Sequence, residues 1–283
     1  MGTIIVRESV QIACEFFGHE QAPLVVLISG AGAPAEFWPD FFCKSLADRG
    51  FRVLRYSHRD TGLSTHFDDP YDIWELHQDL VSLVEMFEKP SVRFVGHSMG
   101  GFLAQLAVCY SSLSIQSVVS ISAGSAVESG LCEELGMSRP SDGTWRVLMQ
   151  NQPTGNYMAD LKGWLSTWRF LNGSFPFDEE QAMLYTKSLY QGDPRNAQVA
   201  TNHVHAMTTV PIKLVEDLTK TYCPFLVLHG TEDVLVPLDN GEVTARLAPN
   251  STFAGIEGAG HMFFNKQTWV KIRDHIVEHL TNH

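Results

Sequence analysis

The chain has 283 residues, 44% of them hydrophobic and 18% charged, with 32 acidic against 20 basic side chains and a net charge of −12. That length accommodates one α/β domain with an insertion or two modest domains, and the composition is ample for a large core. The acidic balance argues against nucleic acid or an anionic membrane as a partner, and a water-facing surface explains it fully.

Residues 3–17 alternate in β-branched stretches around Arg7-Glu8-Ser9 and predict an opening hairpin. The run Leu24-Val25-Val26-Leu27-Ile28 predicts a strand buried on both faces, ending in the small-residue loop Ser29-Gly30-Ala31-Gly32-Ala33-Pro34. A helix is predicted over 35–49, a strand over 51–56, a loop over 57–64, a helix over 73–87 and strands over 92–95 and 117–122. Strands alternating with helices imply a mostly parallel sheet with helices on both faces. From about 126 to 215 the strand signal stops, and helical pieces rich in Trp, Met, Tyr and Phe take over. The rhythm resumes with a strand from Pro224 to His229, a helix over 239–248, a strand over 251–256 and a terminal helix from Thr268. Residues 1–125 and 216–283 are therefore expected to form an α/β core with an eight-stranded sheet, and 126–215 a helical cap inserted after the sixth strand. Most of the cap's aromatics should form its own core, while a few line a pocket beneath it.

The chain is organised around Val92-Arg93-Phe94-Val95-Gly96-His97-Ser98-Met99-Gly100-Gly101, a short strand, a sharp turn and an immediate helix. Glycines at 96 and 100 remove the Cβ atoms that would clash in such a turn, and Ser98 stands at its tip beside the helix N-terminus. Three fixed residues arise by chance about one time in ten in a chain of this size, so the motif stands or falls on its partners. A nucleophilic serine in this setting needs an acid and then a histidine at the ends of later strands. Asp233 follows the strand ending at His229-Gly230, and His261 lies in Gly258-Ala259-Gly260-His261 after the strand 251–256. Glu232 is an alternative acid, but the frame running to Val236-Pro237 favours Asp233, and no acid follows strand 117–122 before Glu128. Two backbone N–H donors must face the developing oxyanion; the expected pair is Met99, directly after the serine, and Ala31, in the glycine loop.

Other signals are thinner. Gly30-x-Gly32 lacks the third glycine and the acid of a dinucleotide site, and His203 and His205 have no third ligand for a metal, so no cofactor and no metal are expected. Gly30, His97, Trp168 and His205 are carried as pocket candidates, His97 without a catalytic role. Five cysteines, odd in number and mostly inside apolar runs, imply reduced thiols and a cytoplasmic protein; a monomer or homodimer is expected. The first residues lack the basic head and long apolar core of a secretory signal, Val6 stands where a myristoylation signal needs Ser or Thr, and no apolar run nears the roughly 20 residues of a membrane span.

Through Gly96-His97-Ser98-Met99-Gly100, His229-Gly230-Thr231-Glu232-Asp233 and Gly258-Ala259-Gly260-His261, the chain resembles the α/β-hydrolase superfamily over essentially its full length. More narrowly, it is similar to the aclacinomycin methylesterase-like group through the stretch from Leu54 to Ser64, with Asp60 where most relatives carry Gly, and through Trp168-Arg169-Phe170-Leu171-Asn172-Gly173 before Phe175-Pro176-Phe177-Asp178. Ser57 replaces the usual acid at the start of the first stretch, and Ser29-Gly30-Ala31-Gly32 replaces the commoner His-Gly oxyanion pattern. The resemblance implies a cofactor-free carboxylic methylesterase acting on polycyclic substrates. The expected activity is hydrolysis of an apolar small-molecule ester by Ser98, His261 and Asp233. The alternatives are another triad hydrolase (thioesterase, lactonase, carbon–carbon hydrolase, aminopeptidase), a perhydrolase or hydroxynitrile-lyase-like enzyme, and a hydrolase-fold receptor with little turnover.

Overall fold

Every residue of Leu24–Ile28 is buried, as a strand covered on both faces must be. The computed structural model describes residues 2–7, 10–89, 91–151, 154, 156–190 and 196–283, with the backbone alone over 196–200. The strands are β1 (Gly2–Arg7), β2 (Val10–Phe17), β3 (Leu24–Ile28), β4 (Arg52–Tyr56), β5 (Val92–His97), β6 (Ile115–Ile121), β7 (Phe225–Gly230) and β8 (Ser251–Ile256). They form one sheet in the order β1-β2-β4-β3-β5-β6-β7-β8, antiparallel at β1/β2 and β2/β4 and parallel elsewhere. The Glu8-Ser9 turn of the predicted hairpin lies outside the described residues.

Alternate strand residues serve opposite faces, following the two-residue period of a strand. Leu24, Val26, Ile28 and Phe94 pack on one side with helices α2 (Ile73–Glu85) and α3 (Met99–Tyr110), while Val25, Leu27, Val95 and Ile121 pack on the other. The second face is covered by α1 (Asp40–Ala47) and by the terminal helix α11 (Lys266–Asn282), whose Trp269, Ile272, Ile276 and Leu280 are inward at helical spacing. Each such side chain contributes about 1.5–3 kcal/mol relative to exposure. Asp72 caps α2 by accepting from the Trp74 and Glu75 N–H groups, the ordinary service of an N-cap carboxylate.

The predicted helix over 35–49 is divided. A single 3-10 turn spans Ala35–Phe37, and α1 starts only after Pro39. Proline disfavours helical geometry in the residue before it, and Trp38 is accordingly extended. Between β6 and β7 the chain runs through α4 (Ser129–Leu135), α5 (Asp142–Gln150), α6 (Tyr157–Leu171), α7 (Glu179–Leu189), α8 (Asn196–Thr208) and α9 (Leu214–Leu218). Helix α10 (Leu238–Leu247) separates β7 from β8. All five cysteines carry free thiols, three of them buried. No helix of the described residues is long and apolar enough to cross a membrane.

Sequence order reverses direction across β3: β4 lies on one side of it and β5 on the other. Loops leaving the carboxyl ends of β3 and β5 therefore diverge and leave a crevice between them, the usual place for a site in an open parallel sheet.

Candidate active site

Ser98 links β5 to α3 with φ 55 and ψ −121, a left-handed conformation costly for any residue with a Cβ. Chain proximity enforces it. A Cβ on Gly96 would stand 2.7 Å from the Gly101 nitrogen, and one on Gly100 would stand 2.7 Å from the Ile28 carbonyl carbon, so neither neighbour tolerates a side chain. A serine that begins a helix normally spends its oxygen capping it. Ser98 caps nothing with its side chain; instead its Oγ lies 3.1 Å from His261 Nε2.

His261 stands on the loop after β8, and its Nδ1–H donates to Asp233 Oδ2 at 2.8 Å. Asp233 is held in turn from its own loop. Its Oδ1 accepts the Leu235 N–H at 2.9 Å and the Val236 N–H at 2.8 Å. Burial pulls the Asp233 carboxyl towards higher pKa, but the adjoining His261 ring, the His229 ring and the Val236 N–H together hold the group below its ordinary value. Beneath the acid, His229 donates from Nε2 to the Val236 carbonyl at 2.7 Å, and its burial holds that ring below the usual histidine value. Glu232 points elsewhere and accepts from the Ser174 hydroxyl at 2.7 Å.

The histidine loop is clamped to the carboxyl end of α6. Gly260 N–H donates to Asn172 O at 3.0 Å, Met262 N–H to Leu171 O at 3.0 Å and Ser174 N–H to Gly258 O at 2.9 Å, flanking an isolated antiparallel bridge between Gly173 and Ala259. Gly173 has φ 75 and lies against the 258–260 backbone, a position closed to other residues. His97 braces the same loop from below: its Nε2 donates to the His261 carbonyl at 2.8 Å and its ring stacks on Phe37. Burial, then the adjacent His261, pushes His97 down to about 3, so it stays neutral.

Ser98 and His261 open into a cavity of about 880 Å³. Gly30, Ala31 and His97 form its floor, and Trp145, Trp164, Trp168, Tyr185 and Tyr190 much of its wall. Trp168 stacks on Trp164 at 4.8 Å and donates its indole N–H to Thr186 at 2.9 Å. Met99 is buried at the first turn of α3, behind the serine. His205 corrects the expectation for the pocket, because it is exposed and lies outside the cavity lining. Two residues along a helix turn the side chain by about 200°, so the buried His203 and His205 face opposite ways.

Asp60, on the loop after β4, also lines the cavity at φ 68. Its carboxylate accepts the Phe67 N–H at 2.6 Å, the Tyr71 hydroxyl at 2.7 Å and the Asn202 amide at 3.0 Å. The loop is anchored by Arg59, whose guanidinium makes two bonds to the buried Asp79 at 2.6 and 2.8 Å. No group of three or more His, Cys, Asp or Glu among the described residues is arranged to hold a metal ion.

Comparison with known proteins agrees with this fold. A family model described as the alpha/beta hydrolase fold matches residues 23–266. Rhodomycin D methylesterase DauP from a Streptomyces species is 26% identical over 273 residues, covering 91% of both chains. The putative carbamate hydrolase RutD of Pseudomonas syringae is 28% identical over 253 residues, covering 88% of this chain and 89% of that one. Among solved structures, the esterase RhEst1 from a Rhodococcus species superposes with a TM-score of 0.79 at 17% identity, covering 98% of each chain.

Proposed function

The chain belongs to the alpha/beta hydrolase fold family and is a hydrolase of the esterase kind, and from that premise we propose that it cleaves a carboxylic ester of an apolar substrate through Ser98, His261 and Asp233. In this mechanism Ser98 Oγ attacks the ester carbonyl while His261 Nε2 takes its proton, and Asp233 orients the ring and stabilises the imidazolium. The Ala31 and Met99 N–H groups receive the oxyanion. His261 returns the proton to the leaving alcohol, the acyl-enzyme forms, and a water deprotonated by His261 releases the acid. One observation carries the proposal: Ser98 Oγ caps no helix and lies 3.1 Å from a histidine whose other nitrogen is tied to a buried carboxylate.

The cavity supports the substrate class. A volume of about 880 Å³ walled by three tryptophans and three tyrosines fits a bulky, flat, apolar acyl group. The methylesterase name of a relative supports a methyl ester as the bond cleaved. Residues 126–215 act in this proposal as the cap that supplies the wall. Reaction with a fluorophosphonate, with the modified peptide identified by mass spectrometry, is expected to label Ser98 stoichiometrically. The Ser98→Ala variant is expected to be unlabelled and to turn over no ester in a panel led by methyl esters of polycyclic aromatic acids. Ester hydrolysis that survives Ser98→Ala sinks the mechanism. Turnover of lactones or vinylogous diketones in preference to simple esters moves the bond class and leaves the triad.

A further inference from the structure

We propose that His203 is a positioning residue of the reaction: from helix α8 it holds the oxyanion loop through the Gly32 N–H and so couples occupation of the pocket to the oxyanion donor. The proposal rests on Ala31 being that donor. The loop from Ser29 to Pro34 has several anchors. His58 Nε2–H donates to Ser29 O at 2.9 Å, Ser29 Oγ–H to Pro34 O at 3.2 Å, and Ala33 N–H to Gly30 O at 3.2 Å. Ala35 N–H just beyond it donates to Ser57 Oγ at 3.0 Å. These hold its two ends and its turn from within the core. Its exposed middle is held from outside, where the Gly32 N–H donates to His203 Nδ1 at 2.8 Å.

The ring can accept there only as the tautomer with its proton on Nε2, and the structure fixes that tautomer by a bond from Nε2–H to Arg59 O at 3.0 Å. Complete burial keeps the ring neutral, as the acceptor role requires. Gly32 sits at φ 68, with nothing near the place where a Cβ would be, so packing does not fix its peptide plane. The Gly32 amide belongs to the peptide joining Ala31 to Gly32, and fixing that plane fixes ψ of Ala31. Release of the plane lets the loop drift by the fraction of an ångström that matters to an oxyanion donor.

Helix α8 also meets the cavity. Thr201 and Val204 line it, while the adjacent Asn202 donates to Asp60 Oδ2 at 3.0 Å and to Phe67 O at 3.1 Å. One helix thus touches the bound molecule on one side and, through His203, the oxyanion loop on another. A substrate pressing on Thr201 and Val204 acts on the element that sets the Gly32 plane.

The test compares His203→Asn, His203→Gln and His203→Leu, with para-nitrophenyl butyrate as substrate and a fluorophosphonate as Ser98 probe. Asn places its oxygen where Nδ1 stands and keeps the Gly32 bond; Gln reaches Arg59 O instead; Leu keeps neither. His203→Leu and His203→Gln are expected to lower kcat roughly 10- to 100-fold with KM changed less than about threefold, and His203→Asn to stay within about fivefold of wild type. Fluorophosphonate labelling should reach full stoichiometry in each, slowed in proportion to kcat. If Leu does not fold, the order of Asn and Gln decides. Wild-type kcat in Leu, or Asn no faster than Gln, overturns the coupling while Ser98 labelling leaves the triad standing. Activity that survives Ser98→Ala overturns both.

Discussion

Asp233→Asn removes a charge and preserves a shape, which makes it the sharpest probe of the acid. Oδ1 of Asp233 accepts two backbone N–H groups, from Leu235 and Val236, whereas Oδ2 accepts one, from His261. An amide must therefore put its oxygen towards the loop. Turned the other way, its NH2 would face two donors and forfeit two hydrogen bonds, at a cost of roughly 2–3 kcal/mol, so the flipped form is populated at the per cent level or less. The NH2 then faces His261 Nδ1 and forces that nitrogen to accept, driving the ring proton to Nε2. His261 now presents a hydrogen instead of a lone pair to Ser98 Oγ. A wrong tautomer of this kind costs about 10⁴ in kcat in a serine–histidine–acid triad, or about 5.4 kcal/mol of transition-state stabilisation at 1.36 per decade. Folding should change little, because shape and both backbone bonds persist. Steady-state kinetics and thermal melting of the purified variant check both halves. A well-folded Asp233→Asn that keeps a tenth of wild-type kcat refutes the assignment of the acid.

Gly100→Ala puts a methyl 2.7 Å from the Ile28 carbonyl carbon and 2.8 Å from Ser29 O, both backbone atoms. It should destabilise the protein by roughly 3 kcal/mol or more and abolish fluorophosphonate labelling; unchanged urea unfolding would contradict this. Asp79→Ala leaves the buried Arg59 guanidinium, among the described residues, with the partly exposed Glu75 at 3.0 Å as its carboxylate partner and should cost about 3–5 kcal/mol in the same assay. Acid should destabilise the fold early. His58, His97 and His203 are pushed by burial from an ordinary 6.5 to about 4, 3 and 3, so below pH 6.5 the unfolded chain binds protons that the folded one refuses. Their contribution is present above that pH and is lost as pH falls towards those values, at up to about 1.4 kcal/mol per pH unit for each ring. Urea midpoints should fall steadily from pH 6.5 to 5, and flat midpoints would refute the neutral assignments.

The core elements were legible because burial on both faces leaves an unbroken apolar run. Leu24–Ile28 has the boundaries that the sequence predicts, and so does Ser251–Ile256, although that edge strand is mostly exposed or half-buried and not covered on both faces. The elbow was legible because steric exclusion writes glycine at 96 and 100 into the chain. Pro39 carried a signal that the prediction of one helix over 35–49 overlooked, and the chain is extended just before it. Asp60 has positive φ, and the Phe67, Tyr71 and Asn202 donors around its carboxylate offset the strain. The roles of His203 and His205 were the hardest to read. Two histidines two apart cannot share a helix face, and only the buried spacing of Asn202, His203 and Ala206 marks the inner one. Which loop that inner face meets depends on how the 126–215 segment folds back, and no local pattern encodes that.

The backbone clamp between α6 and the histidine loop ties one jaw of the pocket to the catalytic base. Three hydrogen bonds and a bridge tie residues 171–174 to 258–262, and α6 carries Trp168 and Leu171 on the cavity wall. Any swing of that helix would drag the base away from its serine, so the molecule would disarm itself in opening. Traffic of substrate and product therefore belongs to the opposite rim. There Trp145 and Met149, both on α5, border the same cavity with much of their surface in solvent. Armament and access thus fall on different elements, the base on a loop tied to α6 and the exposed rim on α5.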